Sequence, residues 1–316
     1  MKPEVMERGS AGMIGNGSRG RAGSLRRVRV ADADLAFREF GVGEPLVLIP
    51  AFATTMGMWD TRFLRRLAAR YRVIAFDNRG MGHSTAGYAE WGIDQFAADA
   101  AGLIDALGLD KPHVLGWSMG GDIALSLAVH FPEKVDRLII YAGDCGGPQK
   151  IDPPSYKDIR KKMLRDSPVA WALSPLFPPE WMKQHPDCWR TVPFLKMGIR
   201  PRSISRQNKA YNEWQGVYEE LPSIESPTLV VSGTHDVSTP LENAFILGER
   251  IPRARLLLAP GAGHGLMYQY PYEFASAITD FMYAPSLKRV EFLRHDPVPP
   301  FRSGLVPSYG LATETG

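Results

Sequence analysis

The 316-residue chain predicts an α/β fold, a mostly parallel, doubly covered sheet of eight strands with one helical insertion. Three observations carry this. Short continuous apolar runs of the kind buried strands need, such as Leu46-Val-Leu-Ile49, alternate with longer segments of helical periodicity. A strand–helix–strand repeat joins parallel neighbours by right-handed crossovers. The alternation stops between about Cys145 and Leu221, in a stretch rich in Pro, Trp and Met without strand-like runs. A composition of 44% hydrophobic, 22% charged and 10% aromatic residues suits a globular chain with a sizeable core. It excludes wholly disordered, collagen-like and coiled-coil classes.

Residues 1–25 read as a disordered, basic, Gly- and Ser-rich arm. Up to residue 30, seven basic side chains face Glu4 and Glu7, whereas the remainder carries 30 basic and 32 acidic groups. Such an arm suits nucleic acid or anionic lipid. Without aromatic interleaving or a binding fold it reads as a solvated tail, and no nucleic-acid partner is expected. The arm lacks the apolar core of a secretory signal, and no run approaches the roughly 18 apolar residues of a membrane span. Two cysteines far apart, Cys145 and Cys188, predict neither a metal cluster nor a disulfide framework, and point to the cytoplasm.

Residues 26–144 and 222–284 form the predicted core. Residues 28–30 and 35–40 read as two antiparallel strands about a polar turn, and 46–49 as a central strand. Residues 58–69 have helical spacing, with Trp59, Phe63, Leu64 and Leu67 on one side, and 73–76 form the next strand. A helix over 94–107 turns Phe96, Leu103, Ile104 and Leu107 inward and stops at Gly108. Strand 114–116 leads into a helix over 119–130, closed before Pro132. Strands 138–141, 228–232 and 255–259 complete the set, with helices over 241–250 and 271–283. Residues 145–221 are the expected helical cap. Its Trp171, Leu173, Leu176, Phe177, Trp181 and Met182 suit either an apolar pocket or plain cap–core packing. Residues 285–316, with five prolines and no periodicity, read as an irregular tail.

The sharpest chemical signal is Gly116-Trp117-Ser118-Met119-Gly120, between a predicted strand and a predicted helix. So tight a turn strains the central residue, and flanking glycines remove the Cβ atoms that would collide. The Ser118 hydroxyl is thereby lifted above the sheet at a helix N-terminus. It needs a base. Of seven histidines, His264 lies in the small-residue loop Gly261-Ala-Gly-His-Gly265 directly after a strand, where an imidazole can swing over the sheet. His83 is the next candidate. The acid that orients the imidazole is expected after the preceding strand, at Asp236, with Asp144 as the alternative. The Met119 amide and one from the loop after residue 49 are the expected oxyanion donors. Pro50 has no N–H, which leaves Phe52.

These motifs resemble the α/β-hydrolase superfamily, specifically its compact, cofactor-free esterase, haloperoxidase-like and carbon–carbon hydrolase branch, over about residues 26–284. The likeness includes the segment from Phe76 to Ser84 (Phe-Asp-Asn-Arg-Gly-Met-Gly-His-Ser), similar to the family's Asp-x-Arg-Gly-x-Gly-x-Ser turn, and Ser232-Gly-Thr-His-Asp236. The resemblance implies the α/β-hydrolase fold, the triad order Ser118, Asp236, His264, and no metal or organic cofactor. It implies a serine hydrolase that cleaves carboxylic esters or related acyl compounds through an acyl-enzyme, its partner a small-molecule acyl substrate. The loop from Asp77 to Ser84 is structural in the family, so Asp77 and Arg79 are not assigned to catalysis. A serine nucleophile argues against the family's aspartate-dependent epoxide hydrolases and haloalkane dehalogenases. Two alternatives stand. One is a carbon–carbon hydrolase, for which Arg160, Lys161, Lys162 and Arg165 could supply charge, although they read as a solvated helix face. The other is a non-catalytic ligand-binding member. Relatives usually carry His-Gly where this chain has Pro50-Ala51, which removes a ring that often props the oxyanion loop.

Overall fold

The apolar runs pair side by side into one sheet. The computed structural model describes residues 5–6, 23–153, 173–193, 200–283 and 290–293. Its strands are β1 (Val5–Met6), β2 (Arg26–Val30), β3 (Ala33–Phe40), β4 (Glu44–Ile49), β5 (Tyr71–Phe76), β6 (His113–Trp117), β7 (Leu138–Tyr141), β8 (Thr228–Gly233), β9 (Ala254–Ala259) and β10 (Val290–Phe292). They lie in the order β1-β2-β3-β5-β4-β6-β7-β8-β9-β10. The pairings β1–β2, β2–β3 and β3–β5 are antiparallel and all others parallel.

The eight expected strands are β2 to β9. Two further short strands, in segments expected to be a disordered arm and an irregular tail, lie at the edges of the sheet. Val5 pairs with Val28 at one edge, and residues 290–292 run beside Leu256, Leu257 and Leu258 at the other. So short a strand leaves no periodicity in a sequence; what draws it in is the row of unpaired backbone groups on an open edge strand. The other residues of 1–22 and of 284–316 lie outside those described, as do Arg160, Lys161, Lys162, Arg165 and Trp171.

The helices are α1 (Thr61–Ala68), α2 (Ile93–Ala106), α3 (Met119–His130), α4 (Pro179–Gln184), α5 (Pro201–Glu213), α6 (Leu241–Arg250), α7 (Leu266–Gln269) and α8 (Pro271–Tyr283). Helix α1 starts later than its apolar spacing predicts. The Asp60 carboxylate accepts the Arg62 and Phe63 amides and caps it there, while residues 56–58 form a separate 3-10 turn. The period-two alternation of β4 explains the double covering. Val47 and Ile49 enter a core with Phe96, Leu103, Ile123, Leu127 and Leu247, from α2, α3 and α6. Leu46 and Leu48 enter the opposite core with Phe63, Leu67, Phe274 and Ile278, from α1 and α8.

Between β7 and β8 the described residues hold α4, α5 and short 3-10 turns but no strand. Leu173, Leu176 and Phe177 are buried in the second core, with Trp181 and Met182 packed against it. The register aligns the ends of the parallel strands: Ile49 lies opposite Gly116, Trp117 opposite Tyr141, and Gly233 opposite Ala259. The loops that follow these strands therefore crowd one edge of the sheet, where ligands bind in open α/β folds.

Candidate active site

Ser118 occupies φ 55°, ψ −126° at the junction of β6 and α3. The neighbouring glycines are sterically required. A Cβ on Gly116 would lie 2.0 Å from the Gly120 carbonyl oxygen, and one on Gly120 would lie 2.2 Å from that of Ile49. The backbone holds the bend from both sides: Ser118 N–H donates to the Tyr141 carbonyl at 2.8 Å, and Gly121 N–H donates to the Ser118 carbonyl at 2.6 Å. The serine side chain does not cap its own helix. Its hydroxyl stays half-buried at the sheet edge, which suits a nucleophile.

Downstream, His264 Nδ1 lies 2.8 Å from Asp236 Oδ2, and both residues are buried. A carboxylate only accepts, so the proton sits on Nδ1 and Nε2 keeps a free lone pair. Asp236 Oδ1 is taken by the amides of Ser238 at 2.8 Å and Thr239 at 2.9 Å, which leaves Oδ2 for the imidazole. Tyr141 links this arm to the serine. Its carbonyl accepts Ser118 N–H, and its hydroxyl donates to the His264 carbonyl at 2.5 Å. The Trp117 ring lies 5.9 Å from that of Tyr141 and 5.9 Å from that of His264. Ser118 and His264 thus flank one aromatic cluster, with no hydrogen bond between their side chains among the described residues.

The small residues around His264 have a packing reason that the sequence did not reveal. A Cβ on Gly263 would lie 2.7 Å from the Leu176 carbonyl oxygen, and Gly265 N–H donates to that same oxygen at 2.7 Å. Ser238 Oγ donates to the Pro175 carbonyl at 2.9 Å. One segment of the insertion therefore fastens both the acid loop and the histidine loop.

Among the described residues neither the Phe52 nor the Met119 amide has a hydrogen-bond partner, as oxyanion donors require. The next amide, Ala53 N–H, is occupied by Gln207 Oε1 of α5 at 2.7 Å. Gln207 belongs to no motif; the one sequence signal is its spacing from Ser203 and Tyr211, four residues away on each side.

Asp144, the alternative acid, faces elsewhere. Its amide donates to Asp122 Oδ1, and its carboxylate accepts Gly146 N–H and the Tyr211 hydroxyl. Burial raises the pKa of both aspartates, and for Asp122 the nearby Asp144 charge adds to it. His83 is exposed, in a loop built around Asp77, whose carboxylate accepts the Met56 and His83 amides. Arg79 is buried between Asp99 and Asp32. These contacts brace a turn.

A parallel sheet with a strained serine on a strand-to-helix turn is the framework of one class of proteins, and the comparisons agree. Residues 44–158 match the family model described as the alpha/beta hydrolase fold, and residues 205–291 that of TAP-like proteins. The chain belongs to the α/β-hydrolase superfamily and is a hydrolase. It is similar to RutD of Caulobacter sp. (strain K31), named for carbamate hydrolysis: 30% identity, covering 69% of this chain and 83% of that protein. It is also similar to the mouse (Mus musculus) serine hydrolase BPHL, at 27% identity over 83% of this chain and 88% of that one. A thermophilic esterase from Thermogutta terrifontis superposes with a TM-score of 0.69 at 25% identity, over 81% of this chain and 97% of that chain. Among the described residues no helix is long and apolar enough to cross a membrane.

Proposed function

We propose that the protein is a serine hydrolase that cleaves carboxylic esters and related acyl compounds through an acyl-enzyme. The observation that supports this most is the strained Ser118, whose side chain caps nothing, joined through Tyr141 to the buried His264–Asp236 pair. In the proposed cycle His264 Nε2 takes the Ser118 proton as Oγ attacks the acyl carbon. Asp236 holds the imidazole and stabilises its charged form, and the Phe52 and Met119 amides receive the oxyanion. The imidazolium returns the proton to the departing alcohol. Water, deprotonated by His264, then attacks the acyl-enzyme, and collapse of the second tetrahedral intermediate regenerates Ser118. The cycle calls for no metal or organic cofactor.

A small-molecule acyl substrate, short- to medium-chain or aromatic, is the proposed partner. Esters come first, given the esterase among the structural neighbours, and carbamates second, given the relative named for carbamate hydrolysis. A reducing, cytoplasmic compartment is supported by Cys145 and Cys188, both free and buried. The test is labelling by a fluorophosphonate probe together with a panel of p-nitrophenyl esters and aryl carbamates. Labelling and turnover that vanish in Ser118→Ala support the reading; a folded wild-type protein that does neither overturns it.

A further inference from the structure

Helix α5 carries Ser203, Gln207 and Tyr211 one turn apart on a single face. Each side chain bonds a different loop at the site edge of the sheet. Ser203 Oγ donates to the Gly80 carbonyl, beyond β5, at 2.8 Å. Tyr211 donates to Asp144, beyond β7, at 3.3 Å. Gln207, between them, reaches the loop beyond β4, where its Oε1 accepts Ala53 N–H at 2.7 Å.

This middle contact differs from its neighbours in three ways. Ala53 sits at φ 51°, in the left-handed region that an alanine seldom adopts unless its surroundings hold it there. It directly follows Phe52, so anchoring the planar Phe52–Ala53 peptide by its N–H restricts how Phe52 can rotate, and with it the preceding peptide that carries the oxyanion donor. Gln207 is fully buried, and its Nε2 has no hydrogen-bond partner among the described residues. A buried amide with its donor unused is unfavourable for folding, and an apolar side chain of like size would remove that penalty. Stability alone therefore does not explain a glutamine here. Within the loop Thr54 Oγ1 ties the Ala51 carbonyl, leaving α5 to hold the Ala53 side.

We propose that Gln207 is a positioning residue for the oxyanion hole. By holding Ala53 N–H it keeps this residue left-handed and aims the Phe52 amide at the oxygen of the tetrahedral intermediate. Seating of α5 and competence of the oxyanion hole are thereby coupled, so a substrate that shifts the helix alters turnover. The proposal rests on the acyl-transfer reading of Ser118.

The test uses the full chain and compares Gln207→Met, which removes the amide at similar volume, with Gln207→Glu, which keeps an oxygen acceptor. Ser203→Ala, on the same helix face, is the control. Readouts are kcat and KM on the best ester of the panel, inhibition by a boronic acid that forms a tetrahedral adduct on Ser118, and thermal midpoint. Gln207→Met is expected to lower kcat and boronate affinity together by roughly 10- to 100-fold, with KM nearly unchanged. Gln207→Glu recovers most of that loss. Ser203→Ala leaves kcat and boronate affinity within about twofold, whatever it does to the midpoint. Should Gln207→Met fail to fold, Gln207→Asn, which withdraws the acceptor while staying polar, carries the same expectation. A Gln207→Met protein with a lower midpoint but unchanged kcat and boronate affinity overturns the proposal, as does an equal loss in Ser203→Ala. A wild-type protein that neither labels nor turns over is a different failure: it removes the acyl-transfer reading and this proposal with it.

Discussion

Asp236 and Asp144 follow neighbouring parallel strands, β8 and β7, at the same edge of the sheet, and both are buried. Their surroundings differ completely. Asp236 meets two amides and an imidazole, so its charge is matched on every side. Asp144 meets one amide, a tyrosine hydroxyl and the loop's tie to a second carboxylate, Asp122, whose Oδ2 has no hydrogen-bond partner among the described residues. Position after a strand thus makes a carboxylate available; the loop that arrives opposite decides its use. The loop after β9 brings His264 to Asp236, while α5 brings Tyr211 to Asp144.

The largest effects would break the Asp236 side outright. Ser118→Ala and His264→Ala are each expected to lower kcat on the best substrate by about 10⁶ while the circular-dichroism spectrum stays unchanged. Asp236→Asn should cost on the order of 10⁴, because the amide can present its NH₂ group to Nδ1 and favour the wrong tautomer. Asp144→Asn should stay within about tenfold of wild type, as a residue that touches no reacting group. Reversal of that order would reassign the acid.

A smaller effect tests the bridge between the arms. Tyr141→Phe removes the donor to the His264 carbonyl and the acceptor for Met267 N–H, both buried. A loss of about 1–3 kcal/mol in denaturant unfolding is expected, with a several-fold fall in kcat.

The smallest effect belongs to the Asp122–Asp144 side. In the native state these carboxyls hold their protons to higher pH than in the unfolded chain, which releases them near pH 4. Stability is therefore lost as pH rises from about 4 through the raised native values. Asp122→Asn keeps the Oδ1 acceptor for the Asp144 amide and has no charge to bury. It should add about 1 kcal/mol at pH 7 and nothing at pH 3, read from urea midpoints across pH. An unchanged pH profile would show that the pair carries no such strain.

What was legible in the sequence was whatever depends on neighbours along the chain. Gly116 is legible because the collision it avoids, with the Gly120 carbonyl, lies within one turn of backbone, whereas Gly120 makes room for Ile49 of the distant strand β4. The apolar runs 46–49 in β4 and 114–115 in β6 are legible because the sheet is buried on both faces there. The choice between Asp236 and Asp144 was only half legible, since each stands a few residues past a strand. Gln207 was not legible, because a polar residue on a helix has many uses and its partner lies 154 positions away. The edge strands β1 and β10 were likewise hidden, being defined by the neighbour they pair with.

By itself, then, the sequence determined the order of strands and helices, the strained serine turn, and which loops could carry a base and an acid. Those follow from local sterics and from the period of apolar residues, which act over a few residues whatever surrounds them. Tertiary structure alone decided between Asp236 and Asp144 as the carboxylate that meets the imidazole, took up the Ala53 amide, and set which helix braces that loop. Each depends on a hydrogen bond between distant segments, and such a bond exists only once packing has fixed both ends.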